Sequence, residues 1–313
     1  MAKGLIQNKP RISIVGAAAV GDYLLYVDKL PQKGEVVQVK KYNDKIQFGG
    51  CAPNIAVGIS KLGIAQPVLH YPVGDDYQTY LDEWEKNGVL CNISRGKGKS
   101  GVSWMFMQDD GVTMCFAWEG VANTLPWPDD AQLDEYVVVC PVLNDYTGGC
   151  LEQAIKEQKK VFVSGIANSK LIPYLSRIYG LSLNEYEFRS LCASLHIEET
   201  EFCKKFPSLV LIVTMGGKGS RIQQGNNCYQ IPVVVPNEIV DFTGAGDAYI
   251  SGFLSSRFYG YDFECSGYVG AATSSFVLEH LGGQEGFPDW NQIMERIMKQ
   301  YPAIGSRLRE REG

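Results

Sequence analysis

The chain has 313 residues and a net charge of −6, from 29 Lys plus Arg against 35 Asp plus Glu. Hydrophobic residues make up 45% and charged residues 20%, which excludes a disordered, collagen-like or disulfide-dense miniature fold. The acidic balance offers no general attraction to a polyanion, so nucleic acid is not an expected partner, while the N–H groups of a helix start can still hold one small anion.

Residues 1–11 are polar and basic without the apolar run of a signal peptide, and no stretch approaches the ~20 apolar residues of a membrane span. A cytoplasmic location without a membrane partner is therefore expected. Residues 12–16 are a short apolar run ending in a Gly/Ala loop, the pattern of a buried strand. Residues 54–62 and 77–87 carry helical patterning. Residues 35–41 alternate apolar and polar, and the apolar runs 100–107 and 112–118 flank Asp109-Asp110-Gly111, a hairpin signal. These segments predict a small β-sheet standing apart from the core. From about residue 131 strands at 136–140, 161–164, 181–183 and 209–214 alternate with helices at 151–158, 171–179, 185–192 and 198–206. Such alternation predicts an α/β fold with a mostly parallel sheet covered on both faces. A hairpin turning at Gly225-Asn226-Asn227 precedes long helices at 245–259 and 263–280 and a surface helix at 290–299. Residues 1–313 read as one continuous unit with an insertion.

Nine cysteines, an odd number without a CxxC, and three dispersed histidines suggest neither a disulfide framework nor a zinc site. Gly98-Lys99-Ser100 resembles the end of a phosphate-binding P-loop, but Ile93 stands where that motif needs Gly. The segment 244–249 lacks the third Gly of a dinucleotide fingerprint and comes too late in the chain for one.

The segment Asp241-Phe242-Thr243-Gly244-Ala245-Gly246-Asp247-Ala248 follows an apolar pair and opens a long helix. Small residues at 244–246 let backbone N–H groups approach a ligand, and the helix start adds partial positive charge, so the segment is a phosphate cradle by physics. Asp247 is placed to accept a proton from an alcohol attacking a phosphoryl group. A first-turn Asp favoured only by the helix dipole is the other local reading.

This segment resembles the C-terminal signature of the ribokinase-like, or PfkB, family of sugar and nucleoside kinases, with Phe242 departing from the small residue or Pro usual there. Gly49-Gly50-Cys51-Ala52-Pro53-Asn54-Ile55-Ala56 resembles the family's N-terminal signature. Weaker likenesses at 16–22, 73–76, 184–187 and 213–219 extend the resemblance across nearly the whole chain. It implies a ribokinase-like three-layer α/β/α domain with a β-sheet lid from about residues 34–48 and 100–119.

Carried over by resemblance, Asp247 is the general base, and Gly244, Ala245 and Gly246 form the hole for the transferring phosphoryl group. Asp22, Gly50 and Asn54 bind substrate hydroxyls, with loop capping as the alternative for Asp22 and Asn54. Cys51 and Pro53 stand at variable positions of the signature. Thr214, Gly216, Gly219 and Ser274 line the nucleotide with Asn184, and Ala271 and Gly282 lie nearby. Glu187 orients water around magnesium, an Asn N-cap and an exposed first-turn Glu being the alternative for the Asn184/Glu187 pair. Asp241 and Thr243 match positions that help bind a monovalent cation, such as potassium, in some members. Lys218 reads as a solvated loop lysine.

The aromatics Trp104, Phe106, Phe116 and Trp118 suit the core of a small sheet, a cover over substrate, or a homodimer interface through the lid. The implied activity is ATP- and magnesium-dependent phosphorylation of a hydroxymethyl group on a sugar or sugar-like substrate. Residues 274–284 resemble adenosine-kinase-like members, which makes a nucleoside kinase the alternative. A non-catalytic sugar- or nucleotide-binding protein on the same fold is the alternative of another class.

Overall fold

The computed structural model describes residues 9–43, 45–108 and 113–310. The apolar run near the start forms β1 (Arg11–Gly16), and β2 (Ala19–Val27), β3 (Val39–Tyr42) and β4 (Gln47–Phe48) precede α1 (Cys51–Leu62). Next come β5 (Gln66–Val73), α2 (Tyr77–Lys86), β6 (Leu90–Arg95), β7 (Ser100–Met107) and β8 (Thr113–Gly120). The alternating half supplies β9 (Tyr136–Cys140), α3 (Asp145–Lys156), β10 (Lys160–Ser164), β11 (Gly180–Asn184), α4 (Glu185–Leu195), α5 (Glu199–Lys205) and β12 (Val210–Thr214). The hairpin β13 (Ser220–Gln224) and β14 (Asn227–Ile231) leads to α6 (Ala245–Phe258), α7 (Phe263–Val277), α8 (Trp290–Gln300) and α9 (Pro302–Arg309).

The central sheet runs β14-β13-β12-β11-β10-β9-β1-β5-β6. It is parallel from β12 to β6 and antiparallel where the hairpin β13–β14 joins it. The pleat of β9 shows why both faces are covered: Val137 and Val139 enter the core with Leu151 of α3 and Phe188 of α4, whereas Val138 and Cys140 enter the core with Ile55 of α1 and Phe253 of α6. The result is the expected three-layer α/β/α arrangement.

A second sheet runs β3-β2-β7-β8, with β4 pairing β2. It draws on more of the chain than the segments read for it, because β2 sits at its centre and pairs β7 in parallel. Of residues 35–41, only those from Val39 onward join a strand. β7 and β8 pair antiparallel as a hairpin requires, while Asp109-Asp110-Gly111 lies outside the described residues.

Other differences have local causes. The segment read as a helix at 171–179 is a 3-10 turn at Ser169–Tyr174 containing Pro173, whose missing N–H and ring clash oppose a continuing α-helix. β5 and β6 have no clear strand pattern in sequence, because Pro67, His70 and Pro72 break up the first and the second is short and polar. α1 starts three residues before the residue 54 expected, since Pro53 is tolerated in a first turn. No described helix is long and apolar enough to cross a membrane.

Strand order reverses at β1, which lies between β9 and β5, and in such sheets ligands bind beyond the carboxyl ends of the strands at the reversal. α1 and α6 pack together on one face there. Their contact is close because Ser251 is small and donates to the backbone carbonyl of Ile55 at 3.2 Å.

Candidate active site

The loop before α6 is tied by one buried carboxylate. Asp241, 1% exposed, accepts Thr243 N–H at 2.9 Å and Thr243 Oγ1–H at 2.8 Å on one oxygen, and Gly282 N–H at 2.9 Å on the other. Gly244 then takes φ +76°, and a Cβ there would stand 2.6 Å from Gly283 Cα. Only glycine fits this turn. Ala245 N–H turns back on Phe242 O at a long 3.4 Å, and the N–H groups that follow at the start of α6 have no acceptor in a preceding helical turn, which suits the cradle expected at 244–246 to an anion.

Asp247 occupies the first turn of α6 and reaches toward α1, where Asn54 Nδ2 donates to its Oδ2 at 2.8 Å. Burial pushes its carboxyl up to about 7, opposed by hydrogen bonds from Asn54 and the Cys51 thiol and reinforced by the charges of Asp22 and Glu187. A carboxylate with this affinity for a proton suits a general base near neutral pH. Cys51, at the first position of α1, thus touches the candidate base.

Asp22 lies within β2 and is 7% exposed. Its register partner on β7 is Ser103, whose hydroxyl donates to Asp22 Oδ1. Burial raises the Asp22 carboxyl above its ordinary range, and the Ser103 bond opposes that rise. Gly50, at φ +87°, is the N-cap of α1, and Asn54 falls inside the helix beyond it, so Asn54 is not the cap of this helix. Asn54 Oδ1 is buried without a hydrogen-bond partner, an acceptor left for a ligand donor. Gln284, which the sequence did not single out, donates to Gly49 O at 3.1 Å and steadies the loop before α1.

Thr214, Gly216, Gly219 and Ser274 converge on one cavity of about 330 Å³ that reaches Ala245 and Gly246. Ala271 also lines it, and Asn184 and Gly282 do not. Lys218 is exposed beside Glu185. Asn184 and Glu187 form a reciprocal capping box: Asn184 Oδ1 accepts Glu187 N–H at 2.9 Å, and Glu187 Oε2 accepts Asn184 N–H at 2.8 Å. That pairing realises the capping alternative and leaves Glu187 Oε1 free, within electrostatic reach of Asp247. No group of three or more His, Cys, Asp or Glu side chains placed to hold a metal occurs among the described residues. All nine cysteines are free.

Comparison with known proteins matches residues 9–290 to the family model "pfkB family carbohydrate kinase". The chain is 30% identical over 302 residues to a nucleoside kinase of Methanocaldococcus jannaschii, covering 92% of this chain and 97% of that one. The crystal structure of the nucleoside kinase from that organism superposes with a TM-score of 0.78 at 29% identity, over 92% of this chain and 98% of the other. A ribokinase of Bacillus subtilis is 25% identical over 316 residues, covering 91% of this chain and 99% of that one. A Burkholderia thailandensis nucleoside kinase solved with inosine shares the fold, with a TM-score of 0.80 at 20% identity over 93% of this chain and 98% of that one.

Proposed function

Because the chain belongs to the pfkB family of carbohydrate kinases, we propose that it transfers the γ-phosphoryl group of ATP to a hydroxymethyl group of a nucleoside, with Asp247 as general base. The observation that carries this reading is the Asp247 carboxylate, brought to about 7 and held by Asn54 beside the cradle at 244–246. Asp247 takes the hydroxyl proton as the new O–P bond forms and the bond from the γ-phosphorus to the bridging oxygen breaks, releasing ADP. The N–H groups of Gly244, Ala245 and Gly246 meet the negative charge of the transferring group, which is where fixed dipoles lower the barrier.

In this reading Asp22, Gly50 and Asn54 bind the ring hydroxyls, and Thr214, Gly216, Gly219 and Ser274 line the nucleotide. Glu187, with its free carboxylate oxygen, fits a magnesium ion held mainly by water and phosphate oxygens, and Asn184 fixes Glu187 through the capping box. Magnesium, when bound, screens the charge of the triphosphate. Asp241 carries three hydrogen bonds and no cationic partner among the described residues, so with Thr243 it suits a monovalent cation such as potassium beside the cradle.

The smaller sheet acts as a lid that excludes water from the transfer. Its inner face decides the substrate class. By the pleat, Met105 on β7 and Cys115 and Ala117 on β8 share the face that carries Asp22 and Ser103. Met105, Cys115 and Ala117 make an apolar stretch beside the Asp22–Ser103 pair, on a face that also carries Gln47 opposite Asp22 and Glu119 at the end of β8; the apolar stretch suits a nucleobase, and the Methanocaldococcus jannaschii relative is a nucleoside kinase. A free pentose is the second reading, since Asp22, Gly50 and Asn54 address any ribose-like ring and a Bacillus subtilis relative is a ribokinase.

The outer face carries Trp104, Phe116 and Trp118 at 37%, 56% and 50% exposure, and a second copy of the chain covers it. A panel of ribose, fructose, 2-keto-3-deoxygluconate, adenosine and other nucleosides, read by magnesium-dependent ADP release, tests the reading. A nucleoside should show the highest kcat/KM; a free sugar with a higher value overturns the nucleoside assignment.

A further inference from the structure

Phe242 is the one departure from the family pattern within the signature at 241–248, and the turn does not need its side chain. The backbone on either side is held without it: Thr243 N–H and Oγ1–H bond to Asp241 across Phe242, Val240 N–H donates to Leu278 O at 2.8 Å, and Ala245 N–H donates to Phe242 O at 3.4 Å. The phenyl ring is nevertheless 50% exposed and lines the 330 Å³ cavity that ends at Ala245 and Gly246.

No charged side chain lines that cavity, and its two aromatic residues differ in availability. Tyr249 is 4% exposed and its hydroxyl is bonded to Ser220 at 2.7 Å. Phe242 alone of the pair offers an open face. It stands with Ile239 and Val235, exposed by 54% and 57%, so an apolar wall borders the same cavity whose inner end is the anion cradle. A ligand filling this space has a negatively charged end at 244–246 and a flat, weakly polar end at Phe242.

We propose that Phe242 supplies the aromatic face on which the nucleobase of the phosphoryl donor rests, an inference that rests on the ATP-dependent reading above. Base stacking on a ring is tolerant of base identity because every base has a π face, and the hydroxyls of Thr214, Ser274 and Ser275 add few groups able to tell one base from another. The residue therefore adds donor affinity more than donor selectivity.

The test compares the wild type with Phe242→Thr and Phe242→Trp. Loss of the ring should raise KM for ATP and Kd for ADP about tenfold, whereas the Trp variant should stay within about twofold of the wild type. Tripolyphosphate, which has the anionic end and no base, serves as a competitive inhibitor against ATP, and its inhibition constant should change by less than about twofold. A Thr variant with unchanged affinity for ATP and ADP overturns the proposal. So does a Thr variant that weakens tripolyphosphate as much as ADP, since the residue would then act on the cradle. Absence of ATP-dependent ADP release by the wild type with every acceptor overturns the underlying kinase reading instead.

Discussion

The side-chain amide of Asn54 donates a 2.8 Å hydrogen bond to the carboxylate of Asp247 across 193 positions of sequence. The bond joins the first turns of α1 and α6, so in the proposed mechanism the element that binds the acceptor also holds the base. Removing the donor should act on the base as well as on binding. Asp247 works as a base only when ionised, and the kcat of the wild type should rise with pH through about 7. Asn54→Ala removes a bond to the ionised form, so the same limb should move to higher pH by about one unit. A pH profile at saturating acceptor checks this, and a limb that stays in place or moves down contradicts it.

Asp247→Asn keeps the shape of the side chain and abolishes its basicity. Turnover should fall by about a thousandfold, with nucleoside binding measured by calorimetry largely retained. Retention of more than about a tenth of the wild-type rate would remove Asp247 from the role of base.

The Ser103 hydroxyl donates to Asp22, so in the proposed mechanism Ser103 acts through Asp22 as a positioning residue. Burial raises the Asp22 carboxyl and the Ser103 hydroxyl opposes the rise, so Ser103→Ala should leave more Asp22 protonated and less able to accept hydroxyl hydrogen bonds. The acceptor KM should increase about tenfold. Because the ionised form returns as pH rises, the increase should be largest in acid and shrink in base, and Ser103→Thr should restore the wild-type value. An increase that is independent of pH would point to packing alone.

On the outer face of the smaller sheet Trp104 stacks on Tyr23 at 6.3 Å between centroids, and Tyr23 stacks on Tyr42 at 6.4 Å. Phe116 lies opposite Trp104 in the neighbouring strand. A continuous aromatic stripe of this kind loses its exposure if two copies meet face to face. Light scattering should find a dimer for the wild type and a monomer for Trp104→Lys. A wild type that is already monomeric rejects the dimer.

Much of the candidate site was legible because its constraints are local. The turn at Gly244 needs a residue that accepts positive φ, the N-cap Gly50 needs another, and the small residues of 244–246 and the apolar runs of the sheet leave their marks in consecutive positions. The Asn184/Glu187 pair was legible for the same reason, although its local bonding is a helix cap. By contrast, prolines interrupt the pattern of β5, and the place of β2 at the centre of the smaller sheet depends on pairing with β7, distant in sequence.

The sequence by itself determined the α/β alternation, the glycine-containing start of α6 and the family resemblance, since each follows from backbone sterics and side-chain patterns over a few residues. Only the tertiary structure decided that Asn54 meets Asp247, that Ser103 faces Asp22 across 81 positions, and that Phe242 opens onto the cavity beside the cradle. These contacts follow from sheet order, strand register and the crossing of α1 with α6, which bring distant segments together and which local chemistry does not specify.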